Sequence, residues 1–225
     1  MSKRDMMIKI FIILMAGVIF LSPASSALEL VKKNFSDKNF AGARLGVWTN
    51  LGDKDAPEAS GIDMEFDNSS VYGEFFYAFR VAPPLAVEIS LGLYSRGDVL
   101  YSYETSTYIG AVNLYPVFLS AKLYPFYKLE SLPFYPYAQP GVGFVYGSQS
   151  VIDYDDYYYY YYGYTAEDTE TRFTYILGGG IDWPVASNIG LTASYKYMPV
   201  KFGEALAGVR DYSGWTLTIG VGYIF

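Results

Sequence analysis

The last segment of the chain, residues 215–225, limits the possible folds more than any other. Threonines and glycines alternate there with apolar side chains, apart from Ile224. The apolar positions are Trp215, Leu217, Ile219, Val221, Tyr223 and Phe225. Because successive side chains of a strand point to opposite faces, the segment predicts a strand with one apolar face. Its length suits a tilted strand that crosses a bilayer in about 9–11 residues, with aromatic residues at both interfaces. The alternative is the last strand of a soluble β-sandwich.

The N-terminal residues predict export. Basic residues precede a short apolar run at 10–21, and small residues follow at 25–27. This order is typical of a secretory signal peptide. A retained anchor helix is the alternative, but it would need roughly 17–25 apolar residues. We therefore predict a signal peptide at 1–27 and one β-barrel domain at 28–225.

Alternating segments recur through the rest of the chain and predict eight strands. They lie at residues 41–50, 71–81, 85–96, 108–123, 136–147, 172–183, 189–199 and 215–225. Pro116 falls inside the fourth and predicts a β-bulge, because proline cannot donate a ladder hydrogen bond. Connections after odd-numbered strands are longer than those after even-numbered strands. This predicts an all-β, antiparallel, up-and-down transmembrane barrel with short periplasmic turns and longer extracellular loops.

Charged side chains fall opposite the apolar face in nearly every predicted strand. They are Arg44, Glu74, Arg80, Glu88, Arg96, Lys122, Asp182 and Lys196. A basic side chain facing lipid at the bilayer midplane costs about 2–4 kcal/mol, so these residues are expected to face the lumen. An eight-stranded barrel is just wide enough for side chains to fill. We therefore expect a paired charge network that plugs the lumen and has a structural role.

Composition argues against several kinds of chemistry. The chain has no His and no Cys, which removes histidine bases, the usual zinc ligands and disulfides. Its net charge of −7 argues against nucleic-acid binding. We expect no catalytic residue, no metal and no cofactor. The acidic cluster at 153–156 could hold Ca²⁺ loosely, but a solvated loop is the favoured interpretation.

Two other segments leave alternatives open. The tyrosine-rich stretch at 153–164 could be an adhesive or ligand-binding tip, but low-complexity sequence that extends strands five and six is favoured. Residues 28–39 are expected to be a lead-in segment, with a small amphipathic plug as the alternative.

Three internal motifs and the terminal aromatic residue carry a family resemblance. The motifs are YPVFLSAKLY at 115–124, PYAQPGVGF at 136–144 and LGGGID at 177–182. With them, the mature chain resembles the outer-membrane β-barrel domain family that includes OmpA-, OmpX- and OmpW-like proteins. The resemblance implies a bacterial outer-membrane location. It also implies that the barrel assembly machinery recognises the C-terminal strand, with Trp215, Tyr223 and Phe225 as its aromatic residues.

The expected function is that of a structural or surface-interaction barrel with a closed lumen. The alternative is an OmpW-like narrow channel for small hydrophobic solutes. Expected partners are outer-membrane lipids, lipopolysaccharide and the assembly machinery, with no nucleic acid, and the protein is expected to be a monomer.

Overall fold

The computed structural model describes residue 35 and residues 37–50, 69–103, 106–129, 132–154, 165–206 and 209–225. The predicted signal peptide, the acidic loop after the first strand and residues 155–164 of the tyrosine-rich stretch lie outside the described residues. Within the described part, no helix is long and apolar enough to span a bilayer.

Antiparallel strands form nearly all of the described structure. They are β1 (Phe40–Asn50), β2 (Ser69–Ala82), β3 (Leu85–Tyr103), β4 (Ser106–Leu123), β5 (Tyr135–Tyr154), β6 (Thr165–Pro184), β7 (Ile189–Met198), β8 (Lys201–Leu206), β9 (Val209–Asp211) and β10 (Gly214–Ile224). Eight of them close a barrel in the order β1-β10-β7-β6-β5-β4-β3-β2, while β8 and β9 form a separate hairpin. The predicted eight-stranded up-and-down barrel is confirmed.

The barrel closes between its first and last strands, as predicted. The pairing of β1 with β10 runs from Phe40 opposite Ile224 to Asn50 opposite Gly214. We call the end that holds Phe40 and Phe225 the lower end, and the opposite end the upper end. The connections at 83–84, 124–134 and 185–188 also lie at the lower end.

Outward and inward faces alternate as the sequence predicts. The exposed face is an apolar belt that includes Leu45, Phe75, Leu91, Leu119, Val142, Leu177, Leu217 and Val221. The inward positions of β10 hold Thr216 and Thr218, which are buried. This is the reverse of a soluble barrel, in which apolar side chains would fill the interior.

Strands β3 to β6 are longer than predicted and project beyond the belt at the upper end. They contain 18–20 residues, whereas β1, β7 and β10 contain 10 or 11. Much of the predicted loops at 97–106 and 148–171 is therefore strand. Above the membrane a strand pair needs no apolar face, so the alternation used to find strands disappears while pairing continues. As a result, only residues 104–105 connect β3 to β4.

The predicted bulge at Pro116 is wrong. Pro116 pairs with Val145 in an unshifted register, and the β3–β4 irregularity lies farther up, between Arg96 and Val99. Gly92 leaves room for the proline ring, since a Cβ on Gly92 would lie 2.8 Å from Cγ of Pro116.

Candidate functional site in the barrel lumen

The lumen is filled by three layers of side chains. A layer of charged residues separates a lower aromatic cluster from an upper apolar cluster. Each layer follows from strand alternation, since every second residue of the strands points inward.

The charged layer is a continuous chain of six ionised side chains. In order across the lumen they are Lys196, Glu74, Arg44, Glu88, Lys122 and Asp182. The successive N–O distances are 2.7, 2.7, 2.8, 3.1 and 2.9 Å. Acidic and basic groups alternate, so each inner member contacts two groups of opposite charge and the chain is neutral as a whole.

Burial makes this pairing necessary. The side chains of the six residues are 0–2 % exposed. An unpaired ion in such a place costs several kcal/mol, and only good geometry with further hydrogen bonds offsets that cost. The arrangement therefore holds β1, β2, β3, β4, β6 and β7 together through their inner faces.

Neutral polar side chains add hydrogen bonds to the carboxylates of the layer. Gln139 donates to Glu88 at 2.8 Å and to Ser120 at 2.8 Å. Tyr72 donates to Glu74 at 3.0 Å, while Tyr124 and Thr192 donate to Asp182 at 2.8 and 2.7 Å. Each carboxylate thus has at least one uncharged donor besides its cation.

The lower cluster closes the end of the barrel that holds Phe40 and Phe225. Its aromatic members are Phe35, Phe40, Phe76, Tyr124, Tyr135 and Tyr137. Phe35 comes from the lead-in segment and is 1 % exposed, with its ring centroid 5.0 Å from that of Tyr135. Phe35 therefore helps to close this end, but residues 28–34 and 36 of the predicted lead-in segment lie outside the described part, so the choice between a lead-in and an amphipathic plug stays a prediction.

Arg80 belongs to this lower cluster rather than to the ion chain. Its guanidinium lies 4.2 Å from the ring centroid of Tyr124 and 5.1 Å from that of Phe35. Among the described residues it has no carboxylate within salt-bridge distance. Its place near the lower rim explains this, since the acidic side chains lie deeper in the lumen. Arg96 lies in β3, but its side chain is outside the described part.

The upper cluster is apolar and is filled by the β8–β9 hairpin. Phe202, Leu206 and Val209 are 1–4 % exposed and pack with inward residues of the barrel wall. Those wall residues include Trp48, Tyr72, Tyr94, Leu114, Phe118, Val145 and Ile176. The sequence predicts residues 200–213 as the loop between the last two strands; that prediction is wrong for the residues that form the hairpin. Apolar side chains at alternating positions 200 and 202 were the available signal.

Polar contacts fasten the hairpin at its margins. The backbone N–H groups of Gly203 and Glu204 donate to the carboxylate of Glu170 at 2.8 and 2.9 Å. Lys201 lies 2.9 Å from Asp211 across the hairpin. Partial burial would raise the pKa of the Asp211 carboxyl, but hydrogen bonds from Ser213 and Lys201 outweigh it, so the pKa lies below its usual range.

The lumen offers no free acid–base pair in the part of the chain that the structure describes. Glu74, Glu88 and Asp182 all contact cations, and no group of three metal-ligating side chains occurs among the described residues. Such a layer can hold the barrel wall together and exclude solvent. Gln139 also belongs to the layer, but it was not predicted because an uncharged side chain gives no charge signal in the sequence.

Comparison with known proteins agrees with this architecture. The chain is similar in structure to the outer membrane protein OprG of Pseudomonas aeruginosa, with a TM-score of 0.54, 18% identity and coverage of 84% of this chain and 96% of that one. It is also similar to Ail, the attachment invasion locus protein of Yersinia pestis, with a TM-score of 0.51, 14% identity and coverage of 84% and 99%. Neisserial surface protein A gives a TM-score of 0.50, 15% identity and coverage of 84% and 97%. At these identities the likeness shows the fold alone. The comparison with curated proteins finds no match.

Family membership follows from the sequence match. Residues 12–225 match the family described as outer membrane protein beta-barrel domain. The match agrees with the closed barrel, the apolar belt and the polar lumen, and it places the protein in the bacterial outer membrane. The chain belongs to the outer membrane protein β-barrel domain family.

Proposed function

We propose that the protein is a closed structural or surface-interaction barrel whose lumen does not conduct ions. The observation that carries the proposal is the unbroken ion chain from Lys196 to Asp182. An ion that crossed this layer would have to break paired, buried charges, each of which costs several kcal/mol to leave without a partner. The upper and lower clusters add apolar material on both sides.

Conductance in planar bilayers tests this proposal. We expect no single-channel steps from the wild-type protein. A matched variant in which a short Gly–Ser linker replaces the hairpin at 201–211 should also be silent, because the charged layer remains. Steady single-channel conductance steps from the wild-type protein would overturn the proposal. Conductance steps from the linker variant alone would mean that the hairpin, and not the charged layer, blocks the lumen.

The second candidate function is a narrow passage for small hydrophobic solutes. One observation favours it: the upper half of the lumen is lined by apolar side chains such as Trp48, Leu114 and Phe118. Phe202 and Leu206 of the hairpin occupy that space, so passage would require the hairpin to leave. Uptake of a hydrophobic solute into vesicles by wild-type protein would support this candidate.

The remaining expectations are proposals on the same basis. We propose that residues 1–27 direct export, that the assembly machinery recognises the strand carrying Trp215, Tyr223 and Phe225, and that the mature barrel is a monomer. Its proposed surroundings are outer-membrane phospholipid and lipopolysaccharide. Absence of catalysis stays a prediction, supported by the lack of His and by the engagement of the lumenal carboxylates. Detectable turnover of lipid or peptide by the purified barrel would contradict it.

A further inference from the structure

The connection between β4 and β5 has an inner side that the barrel fixes in place. Tyr124 is 2 % exposed and donates to Asp182 of the charged layer at 2.8 Å. Tyr127 packs against the lower aromatic cluster. Two turn hydrogen bonds follow, from Tyr127 N–H to the carbonyl of Tyr124 at 3.4 Å and from Leu129 N–H to that of Phe126 at 3.0 Å. These contacts give residues 124–129 a defined orientation.

The outer side of the same connection presents apolar side chains. Phe126 and Leu129 are each 50 % exposed. They are the first and last residues of one hydrogen-bonded turn, which brings their backbones close together. Single exposed apolar residues are ordinary on a protein surface, but this pair lies three and six residues after Leu123, an exposed member of the apolar belt, with the exposed Pro125 between them. The apolar surface therefore continues from the belt onto the turn.

A cation accompanies this surface. Lys128 is exposed, and its Nζ lies 5.6 Å from the ring centroid of Tyr127. Aromatic rings and long basic side chains both favour the boundary between water and lipid, where a polar end can meet headgroups. A protein partner would leave the continuity with the belt unexplained, whereas a lipid surface accounts for the apolar pair and the cation together.

We propose that residues 124–129 form an interfacial anchor that inserts Phe126 and Leu129 into the periplasmic leaflet and sets Lys128 beside phospholipid phosphates. The lower end faces the periplasm in barrels of this family, because the long strand extensions and the β8–β9 hairpin lie at the opposite end, where such barrels carry their larger extracellular segments. The anchor would fix how deeply this end of the barrel sits, because apolar side chains at the headgroup boundary resist displacement in either direction.

Site-directed spin labelling tests the anchor, and the absence of native Cys makes it direct. We would label F126C and L129C separately and reconstitute each full-length barrel in phosphatidylethanolamine vesicles with and without phosphatidylglycerol. The control is S187C, an exposed polar position on the lower connection at 185–188. Heat-modifiable mobility on gels would verify that each labelled protein folds, and the two anchor sites give independent readings.

We expect the labels at 126 and 129 to collide more with oxygen than with a water-soluble nickel complex, and the label at 187 to show the reverse. Adding phosphatidylglycerol should lower the nickel accessibility of the label at 129, which indicates deeper insertion. Combining L129C with K128Q should abolish that response. Equal nickel accessibility at 126, 129 and 187 would overturn the proposal. Protection that appears only after periplasmic protein is added would also overturn it, in favour of a protein partner.

Discussion

Glu88 is the central residue of the charged layer. Its carboxylate accepts from both terminal nitrogens of Arg44 at 2.9 and 2.8 Å and lies 3.1 Å from Lys122. We predict that Glu88→Gln destabilises the barrel by about 3–5 kcal/mol, because two buried cations lose their shared counter-ion. The amide nitrogen of the new side chain would also be a hydrogen-bond donor where only donors surround it. Equilibrium unfolding in urea, followed by tryptophan fluorescence of the protein in lipid vesicles, measures this difference.

The matched control is Glu204→Gln, the same substitution at an exposed position of the β8–β9 hairpin. Surface changes of this kind usually alter stability by less than about 0.5 kcal/mol. If both variants unfolded at the wild-type urea concentration, the ion chain would not contribute to the stability of the barrel.

The sequence predicts which charges face inward, but not which of them pair. Alternation placed Arg44 and Arg80 on the same kind of face, although only Arg44 joins the ion chain. The difference arises from height along the barrel axis, which depends on strand register and tilt. Gln139 escaped prediction for another reason: its importance comes from its position beside Glu88, which is set by the pairing of separate strands.

The β8–β9 hairpin is held mainly by its buried apolar side chains. Phe202 is 4 % exposed, and its ring lies edge-on to Tyr212 with centroids 5.7 Å apart. We predict that Phe202→Ala loosens the hairpin by about 3 kcal/mol, which raises its open population roughly a hundredfold. Limited trypsin digestion, with cleavage after Lys201 and Arg210 identified by mass spectrometry, measures the opening.

Ala205→Ser is the control for this experiment, since Ala205 is exposed in the same hairpin. It should be cleaved at the wild-type rate. The barrel strands should stay intact in both variants, because they do not depend on the hairpin for closure. Wild-type cleavage rates for Phe202→Ala would mean that the hairpin is held by its polar contacts, chiefly those to Glu170.

Predictability of the strands depends on where they lie relative to the lipid. Within the belt, lipid on one face and a polar lumen on the other impose alternation, so segments such as 215–225 were found with nearly correct bounds. Above the belt that constraint is absent, and the sequences of the β5 and β6 extensions carry no period-two signal. The hairpin at 201–211 was only partly predictable. It has apolar side chains, but they face an interior that exists only in the closed barrel.

The described part of the molecule is a closed barrel with its seam between the first strand, β1, and the last, β10. Asn39 and Phe225 exchange backbone hydrogen bonds at 3.0 and 3.1 Å, and Phe35 enters the lower opening immediately beside them. Closure of the seam therefore creates the cavity that Phe35 fills. The ion chain links six of the barrel strands, and the two clusters add inward residues of β5 and β10.

Removing Phe225 tests the link between the end of the chain and the assembled barrel. The deletion eliminates both hydrogen bonds to Asn39 and the ring contacts with Tyr77 and Tyr223, whose centroids lie 6.0 and 6.1 Å away. We predict severalfold less heat-modifiable protein in the outer-membrane fraction, whereas Phe225→Tyr, which keeps the ring and the backbone, should assemble normally. If the deletion gave a wild-type amount of heat-modifiable barrel in that membrane, neither recognition nor closure would depend on the terminal residue. If the deletion assembled poorly in cells but refolded normally in vesicles, the defect would lie in recognition by the assembly machinery, because the seam itself would still close.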